Sequence, residues 1–556
     1  MHGKRVVYYV IGDEVIQEPD YLCPPAGGGC PFAAAAEAAT APAPEIMGSP
    51  FKFGRLFDKA KIEPRPDKTE KEQRQEIADC LVALGKCMSD PRECDGVAAP
   101  SFSEIPAGYT YLGQFIAHEI TADRTQGLPL EELIPDNLRS PTLDLDSLYG
   151  DGPNGSAGEF YEQANRARLR VGPTEATTAG LNKSFDNDLP RVEATGEALI
   201  GDPRNDQNLP VAQTHVAFIK FHNRVVADLE DGYRQRSEPV PPAEKLFEEA
   251  REQVVKHFQW IVLNDYLEKV VDADVLKAVR DGDLRLKRLK VEDAKELFMP
   301  LEFSAAAFRL GHSMVRPNYQ WNAFQSDELG FGPATLGQLF AQTHLSNRSG
   351  GLRKLRSDWI IDWRRFYDFR EVGEQLGYGK NLPEPNMAGQ IDTVFDLHLE
   401  SIAGFDHQGL LDEKRLITVR NLLRGLAFSL PCGEEVARLM EEDALGYGEL
   451  TTGPHAELLD AAPIKGQTPL WFYVLKEARE RGTAGKLGRV GSRIVAETLF
   501  SLVRHSEHSI LKDTDWRPAV YGREVSGDVE FKMVDLLHAA GVVDPIGEHL
   551  KQLYHH

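Results

Sequence analysis

The sequence predicts a mainly α protein: one large helical domain with few short strands and long loops. Three observations carry that expectation. From about residue 100 onward apolar residues recur at three- and four-residue spacing, and few stretches alternate with the two-residue period of a strand. No block of solenoid period repeats along the chain. The 556 residues, 42% hydrophobic and 27% charged, suffice to bury a single large core, although that length alone would also accommodate several domains.

Taken in order, residues 1–100 read as an irregular N-terminal arm, because "PPAGGGCPFAAAAEAATAPAPE" is rich in proline and small residues. Residues 101–510 hold the helical domain. Within it "VAQTHVAFIKFHNRVVADLEDGYRQ" places Val211, His215, Phe218, His222 and Val225 on one helical face. "KLFEEAREQVVKHFQWIVLNDYLEKVV" opens acidic, as the helix dipole favours, and "LGRVGSRIVAETLFSLVRH" supplies a third long helix. Residues 511–556 read as a C-terminal extension packed on the core.

The formal net charge of -23 argues against nucleic acid as a partner, since phosphate binding needs clustered Lys and Arg. No run of about eighteen apolar residues predicts a membrane span. "MHGKRVVYYVIGDEVIQEPD" meets acids too early for a secretory signal, so the chain reads as cytoplasmic, or as secreted if a signal has been removed. Six cysteines (Cys23, Cys30, Cys80, Cys87, Cys94 and Cys432) do not make a disulfide framework; free thiols are expected. Pairing of Cys23 with Cys30, or a staple drawn from Cys80, Cys87 and Cys94, stays open. Their spacing does not suit zinc.

Four clusters pair reactive side chains with ordering ones. "YLGQFIAHEIT" carries Gln114 and His118 on one helical face and Glu119 on another. "RSPTLDLDSLYGDG" offers hard oxygens from Ser140, Thr142, Asp144, Asp146 and Ser147, the ligand type calcium takes, but without EF-hand spacing. "LIGDPRNDQNLP" sets Arg204 in a polar turn before a long helix. "AFRLGHSMVRPNY" sets His312 in an apolar run, where an imidazole either satisfies a core hydrogen bond or holds a metal through one nitrogen while the other is oriented.

In this order the motifs resemble the animal-type haem peroxidases of the peroxidase–cyclooxygenase superfamily. "YLGQFIAHEIT", "PTLDLDSLYG", "GDPRNDQNLP", "RLGH" and "TVRNLLRG", with the later "TPLWFYVLKEA" and "RIVAETLFSL", look like its bacterial branch. The resemblance implies a haem peroxidase domain over residues 101–510 that reduces hydrogen peroxide through a ferryl intermediate. Small donors such as phenols, aromatic amines, iodide or bromide would then be oxidised. It implies His118 as distal base, Arg204 as distal cation and Gln114 as a polar distal residue. His312 would be the iron ligand and Asn421 the acceptor of its second ring nitrogen, with Arg309 and Arg424 alongside the haem. A calcium ion is implied at Glu119, Ser140, Thr142, Asp144 and Asp146.

The chain departs from the pattern at three places. Ala117 and Gln207 stand where mammalian members carry the carboxylates that esterify the haem, which predicts a non-covalent haem b and makes chloride a poor donor. Glu119 replaces the usual Asp of the calcium set. Arg309 occupies the position at which the fatty-acid dioxygenases of the same superfamily carry a radical tyrosine, and Tyr266 and Tyr319 are out of register with it. A dioxygenase, or a haem-binding scaffold with decayed chemistry, is the competing expectation. Oligomeric state is not legible.

Overall fold

Apolar stripes at helical spacing decide the architecture, because each stripe must be buried against another. The structure, a computed structural model, describes residues 8–11, 14–17, 51–60, 66–89, 101–121, 136–137, 142–177, 181–328, 332–347, 352–395, 416–461, 463–519, 521, 530–547 and 549. The long helices are Glu70–Ser89 (α1), Gly108–Ile120 (α2), Leu209–Gln235 (α3), Ala243–Ile261 (α4), Ile417–Ala427 (α5), Leu470–Arg481 (α6), Arg489–His505 (α7) and the shorter Met533–Ala539 (α8). They form a large, mainly α-helical domain with few short strands.

Packing follows the stripes. Helix α2 lies against α3, α3 against α4 and α8, α1 against α5, and α6 against α7. Asn208 caps α3 by accepting from the Val211 amide, and Pro210 occupies its first turn, where a missing N–H costs nothing. Helix α4 does not stop at Ile261. It widens into a π-helical turn at Val262–Tyr266 and resumes at Leu267–Val270, so the single helix expected there is interrupted.

Helix α1 lies inside the stretch read from composition as irregular. Its 20 residues are dominated by "EKEQRQ", which hides the apolar stripe of Ile77, Leu81, Leu84 and Met88 that packs into the core. The strands are short. Phe51–Gly54 pairs antiparallel with Asp136–Asn137 and parallel with Phe298–Pro300, and Phe102–Pro106 pairs with Met387–Gly389 beside α2. Cys87 is disulfide-bonded, which corrects the expectation of free thiols at that position, whereas Cys80 and Cys432 are free. Among the described residues no helix is long and apolar enough to cross a membrane.

Candidate functional site: a cavity lined by His312

Helix α2 is buried on nearly every side, which suits a sequence whose only ionisable groups are its two tyrosines near the start and the His118–Glu119 pair near its end. Gln114 and Ala117 face a cavity, and Gln114 Oε1 accepts from Asn208 Nδ2 at 3.1 Å. His118 is completely buried behind them, its Nδ1 2.8 Å from Asn205 Oδ1. Glu119 points away. Its two oxygens accept the backbone amides of Asp146, at 2.8 Å, and Ser147, at 2.9 Å, at the start of a short helix. Adjacent residues of one helix therefore serve two different surroundings.

The turn Pro203–Asp206 backs this wall. Asp202 caps it and binds the Arg204 guanidinium through both oxygens. Arg204 Nη2 also donates to the carbonyl of His118 at 3.0 Å and to that of Thr121. The cation thus clamps the C-terminal end of α2 and is not among the residues that line the cavity. Gln207 is: its Oε1 is buried against the cavity with no hydrogen-bond partner, as is Thr110 Oγ1.

The opposite wall comes from Ala307–Leu310 and the four-residue helix Gly311–Met314. Gly311 opens on the cavity, since a Cβ added there would meet nothing within 4 Å. His312 lines it, and Asn421 Nδ2, on α5, lies 2.8 Å from His312 Nδ1. Arg309 donates to the Ser304 carbonyl at 3.0 Å and, with the Asn421 amide in this orientation, makes a long contact of 3.4 Å to Asn421 Oδ1. Arg424 packs over the Phe428 ring, one turn farther along α5, and Arg420 is the α5 cation on the wall.

Between the walls lies about 960 Å³ of space, partly open to solvent, closed at the sides by Tyr111, Tyr266, Phe308, Leu336 and Phe340. Burial raises the Tyr111 and Tyr266 phenols well above their ordinary value, so both stay protonated. Tyr111 donates to the Tyr319 hydroxyl at 2.9 Å; Tyr319 itself does not reach the cavity.

The oxygen-rich loop is gathered, but around the protein's own donors. Asp144 accepts from Thr142 Oγ1 and, at 2.6 Å, from Ser506 Oγ; Glu119 is engaged by the two amides already described. Leu145 between the two aspartates takes a left-handed conformation, φ 61°, which turns the chain into the short helix. Ser140 lies outside the described residues. No cluster of three or more His, Cys, Asp or Glu arranged for a metal occurs among the described residues.

Four cavity residues escaped sequence reasoning, Tyr111, Asn208, Tyr266 and Arg420, as did Asn205 and His215 behind the wall. Asn205 and Asn208 sit in a turn already singled out, but nothing in its composition says which amide turns inward. His215 reads as a core residue of α3, and it is one, with burial pushing it down to about 3.

The comparisons follow this geometry. A peroxidase-like protein of Margaritifera margaritifera is 27% identical over 300 residues, 49% of this chain and 34% of that protein, so the chain spans about a third of its curated relative. Peroxidase A of Dictyostelium discoideum superposes with TM-score 0.54 at 15% identity, over 83% of this chain and 89% of that one. A fatty acid α-dioxygenase of Oryza sativa gives TM-score 0.53 at 13% identity, over 91% and 82%. At such identities the structures show a shared fold alone. The relatives found are mollusc, insect, mammalian, amoeban and plant proteins, which overturns the assignment to a bacterial branch. Four of the motifs behind that assignment, "YLGQFIAHEIT", "GDPRNDQNLP", "RLGH" and "TVRNLLRG", supply residues of the cavity lining, and residues that line a site do not record lineage. The animal haem peroxidase profile matches residues 68–356, just over half of the 556 residues, and the chain belongs to that family.

Proposed function

We propose that the chain is a haem-dependent peroxidase that reduces hydrogen peroxide and oxidises small donors such as phenols, aromatic amines, iodide or bromide. The observation that carries this reading is the pairing across one cavity of an Asn-bound histidine, His312, with the wall that holds His118. The residues fit a haem. Two buried polar atoms face the cavity without partners, and a glycine leaves room beside the histidine.

His312 would hold the iron through Nε2, because Asn421 engages Nδ1. Ligation needs the proton on Nδ1, so the Asn421 amide would turn to accept it and give up its long contact with Arg309. Arg309 and Arg420 are the cations suited to the haem carboxylates. Ala117 and Gln207 offer no carboxylate for an ester, which supports a non-covalent haem b. When bound, the haem supplies an iron that takes oxidising equivalents from peroxide and passes them to donors. His118 removes the proton from the near peroxide oxygen and returns it to the far one. Gln114 and Gln207 supply the polar contacts along that wall, and Arg204 holds the end of the helix that carries the base. Calcium stays outside this reading: Glu119 accepts two backbone amides and Asp144 two hydroxyls.

The test is the absorption spectrum of haem-loaded protein before and after a stoichiometric pulse of hydrogen peroxide, then guaiacol. A ferric Soret band that shifts and returns with the donor is expected. No Soret band after loading, or one that only bleaches, overturns the peroxidase in favour of a binding protein. Tyr266 on the wall keeps the dioxygenase as second reading, and oxygen uptake with linoleate decides it.

A further inference from the structure

His118 is joined through Asn205 to a second buried imidazole. His118 Nδ1 lies 2.8 Å from Asn205 Oδ1, and Asn205 Nδ2 lies 3.0 Å from His215 Nδ1. None of the three side chains is accessible: His118 and Asn205 are 0% exposed and His215 is 1%. They come from three elements, α2, the Pro203–Asp206 turn and α3.

In the orientation the structure gives the Asn205 amide, the chain of donors runs one way. An amide oxygen only accepts and an amide nitrogen only donates, so Asn205 Oδ1 requires a proton on His118 Nδ1, and Asn205 Nδ2 requires a bare Nδ1 on His215. The first requirement leaves His118 Nε2 as the proton-accepting nitrogen, the form a base needs. An asparagine alone cannot enforce this, because rotating its amide by half a turn would put a donor against His118 and select the other tautomer. The second imidazole couples to that choice: protonated at Nε2 it presents a bare Nδ1 and holds the amide in the orientation seen, whereas the Nδ1–H tautomer would hold the opposite one. His215 is kept neutral by burial, with Nε2 in an apolar wall where it has no hydrogen-bond partner and where Phe115 meets the ring edge-on at 5.9 Å. A neutral imidazole protonated at Nε2 offers Nδ1 as an acceptor throughout the ordinary pH range. The same turn also grips the backbone of α2 through Arg204, so the ring and the main chain of residue 118 are held from one place.

We propose that Asn205 and His215 are positioning residues that fix the tautomer of His118, with His215 setting the amide of Asn205 and Asn205 setting the proton on His118 Nδ1. The inference rests on His118 being the base of the proposed reaction, but its geometry stands without a cofactor. It also separates two kinds of buried histidine on α3. His222 bonds the Tyr149 hydroxyl and the Ala167 carbonyl and serves packing, while His215 lies one amide away from the cavity wall.

The test begins with haem-free, selectively ¹⁵N-histidine-labelled protein, in which nitrogen shifts report each ring's tautomer. Wild type is expected to show His118 protonated at Nδ1 and His215 at Nε2. In His215→Phe the His118 signal is expected to become a mixture of tautomers, and His215→Gln, which returns an acceptor to Asn205, to restore a single one. Far-ultraviolet circular dichroism and melting identify any variant that has merely unfolded, and Asn205→Leu gives a second route to the same loss. On haem-loaded protein, cyanide, which gives its proton to a distal base as it binds, should bind about tenfold more weakly to His215→Phe while haem affinity is unchanged. A single Nδ1–H tautomer of His118 that survives in a folded His215→Phe overturns the proposal, as does an Nε2–H His118 in wild type. Failure of the wild type to bind haem or turn over peroxide would instead sink the peroxidase reading and leave the tautomer result intact.

Discussion

At residue scale, Gln207 carries the clearest consequence of a departure from the family pattern. With an amide there and Ala117 opposite, haem should extract completely from the wild type into acidified acetone. Gln207→Glu places a carboxylate on the cavity wall, and after peroxide turnover a fraction of the haem is expected to stay with the polypeptide, read by mass. His118→Ala should keep the haem and lose peroxide turnover by about a hundredfold or more, the usual worth of a positioned acid–base group; unchanged turnover would remove it as the base. The candidate site was legible where a residue's type is unusual for its surroundings, as with His118 and His312 in apolar helices or Arg309 in a tyrosine's place. It was illegible where an ordinary residue acquires meaning from a neighbour distant in sequence, as with Asn205, Tyr266 and Arg420. Arg204 was legible as a position and not as a contact, because Asp202, two residues away, engages it.

At the scale of elements, α2 is held at its C-terminal end by Glu119 and by Arg204. Glu119→Gln keeps the shape of the side chain but presents an NH₂ to one of two backbone amides, so denaturant unfolding should show a loss of about 1–3 kcal/mol. Because those contacts are made by the protein itself, chelation with EGTA is expected to leave the melting temperature where it was; a clear fall would restore calcium to the loop. Gly113 is a further constraint: a Cβ there would lie 2.6 Å from the Tyr266 hydroxyl, and Gly113→Ala should cost about 1–3 kcal/mol and narrow the cavity, measured as weakened haem binding. The three long helices predicted from periodicity are present, shifted by a residue or two at their ends. The π-helical turn after α4 was not legible, since the apolar spacing runs through it unbroken. Helix α1 was missed because charge along its outer face outweighs a narrow apolar stripe.

Across the whole molecule, buried glutamates tie distant segments together in one recurring way. Glu119, Glu302, Glu477 and Glu497 each accept two successive backbone amides, at residues 146–147, 56–57, 490–491 and 285–286. Burial outweighs these bonds for Glu477 and raises it from 4.5 to about 7. The folded state therefore binds a proton more tightly than the unfolded chain, so the stability this group contributes is full below about pH 4.5 and is lost as pH rises to about 7. Glu477→Gln should lose less stability than wild type between pH 5 and pH 8, by roughly 2–3 kcal/mol, in parallel denaturant titrations. Equal losses would show that Glu477 does not hold its proton.

The separation of the two cavity walls along the chain sets an order of events during synthesis. His118, Asn205 and His215 leave the ribosome long before Asn421, about 300 positions after His118. Domains begin to fold as they emerge, so the His118 wall can form while its counterpart is still being made. On the proposed reading a nascent chain can touch a haem but cannot clasp it, and the cofactor is locked in only after α5 has arrived to orient His312. Supply of haem would then limit the last stage of biogenesis, not the first, and a chain arrested before residue 421 should accumulate as a helical but colourless intermediate.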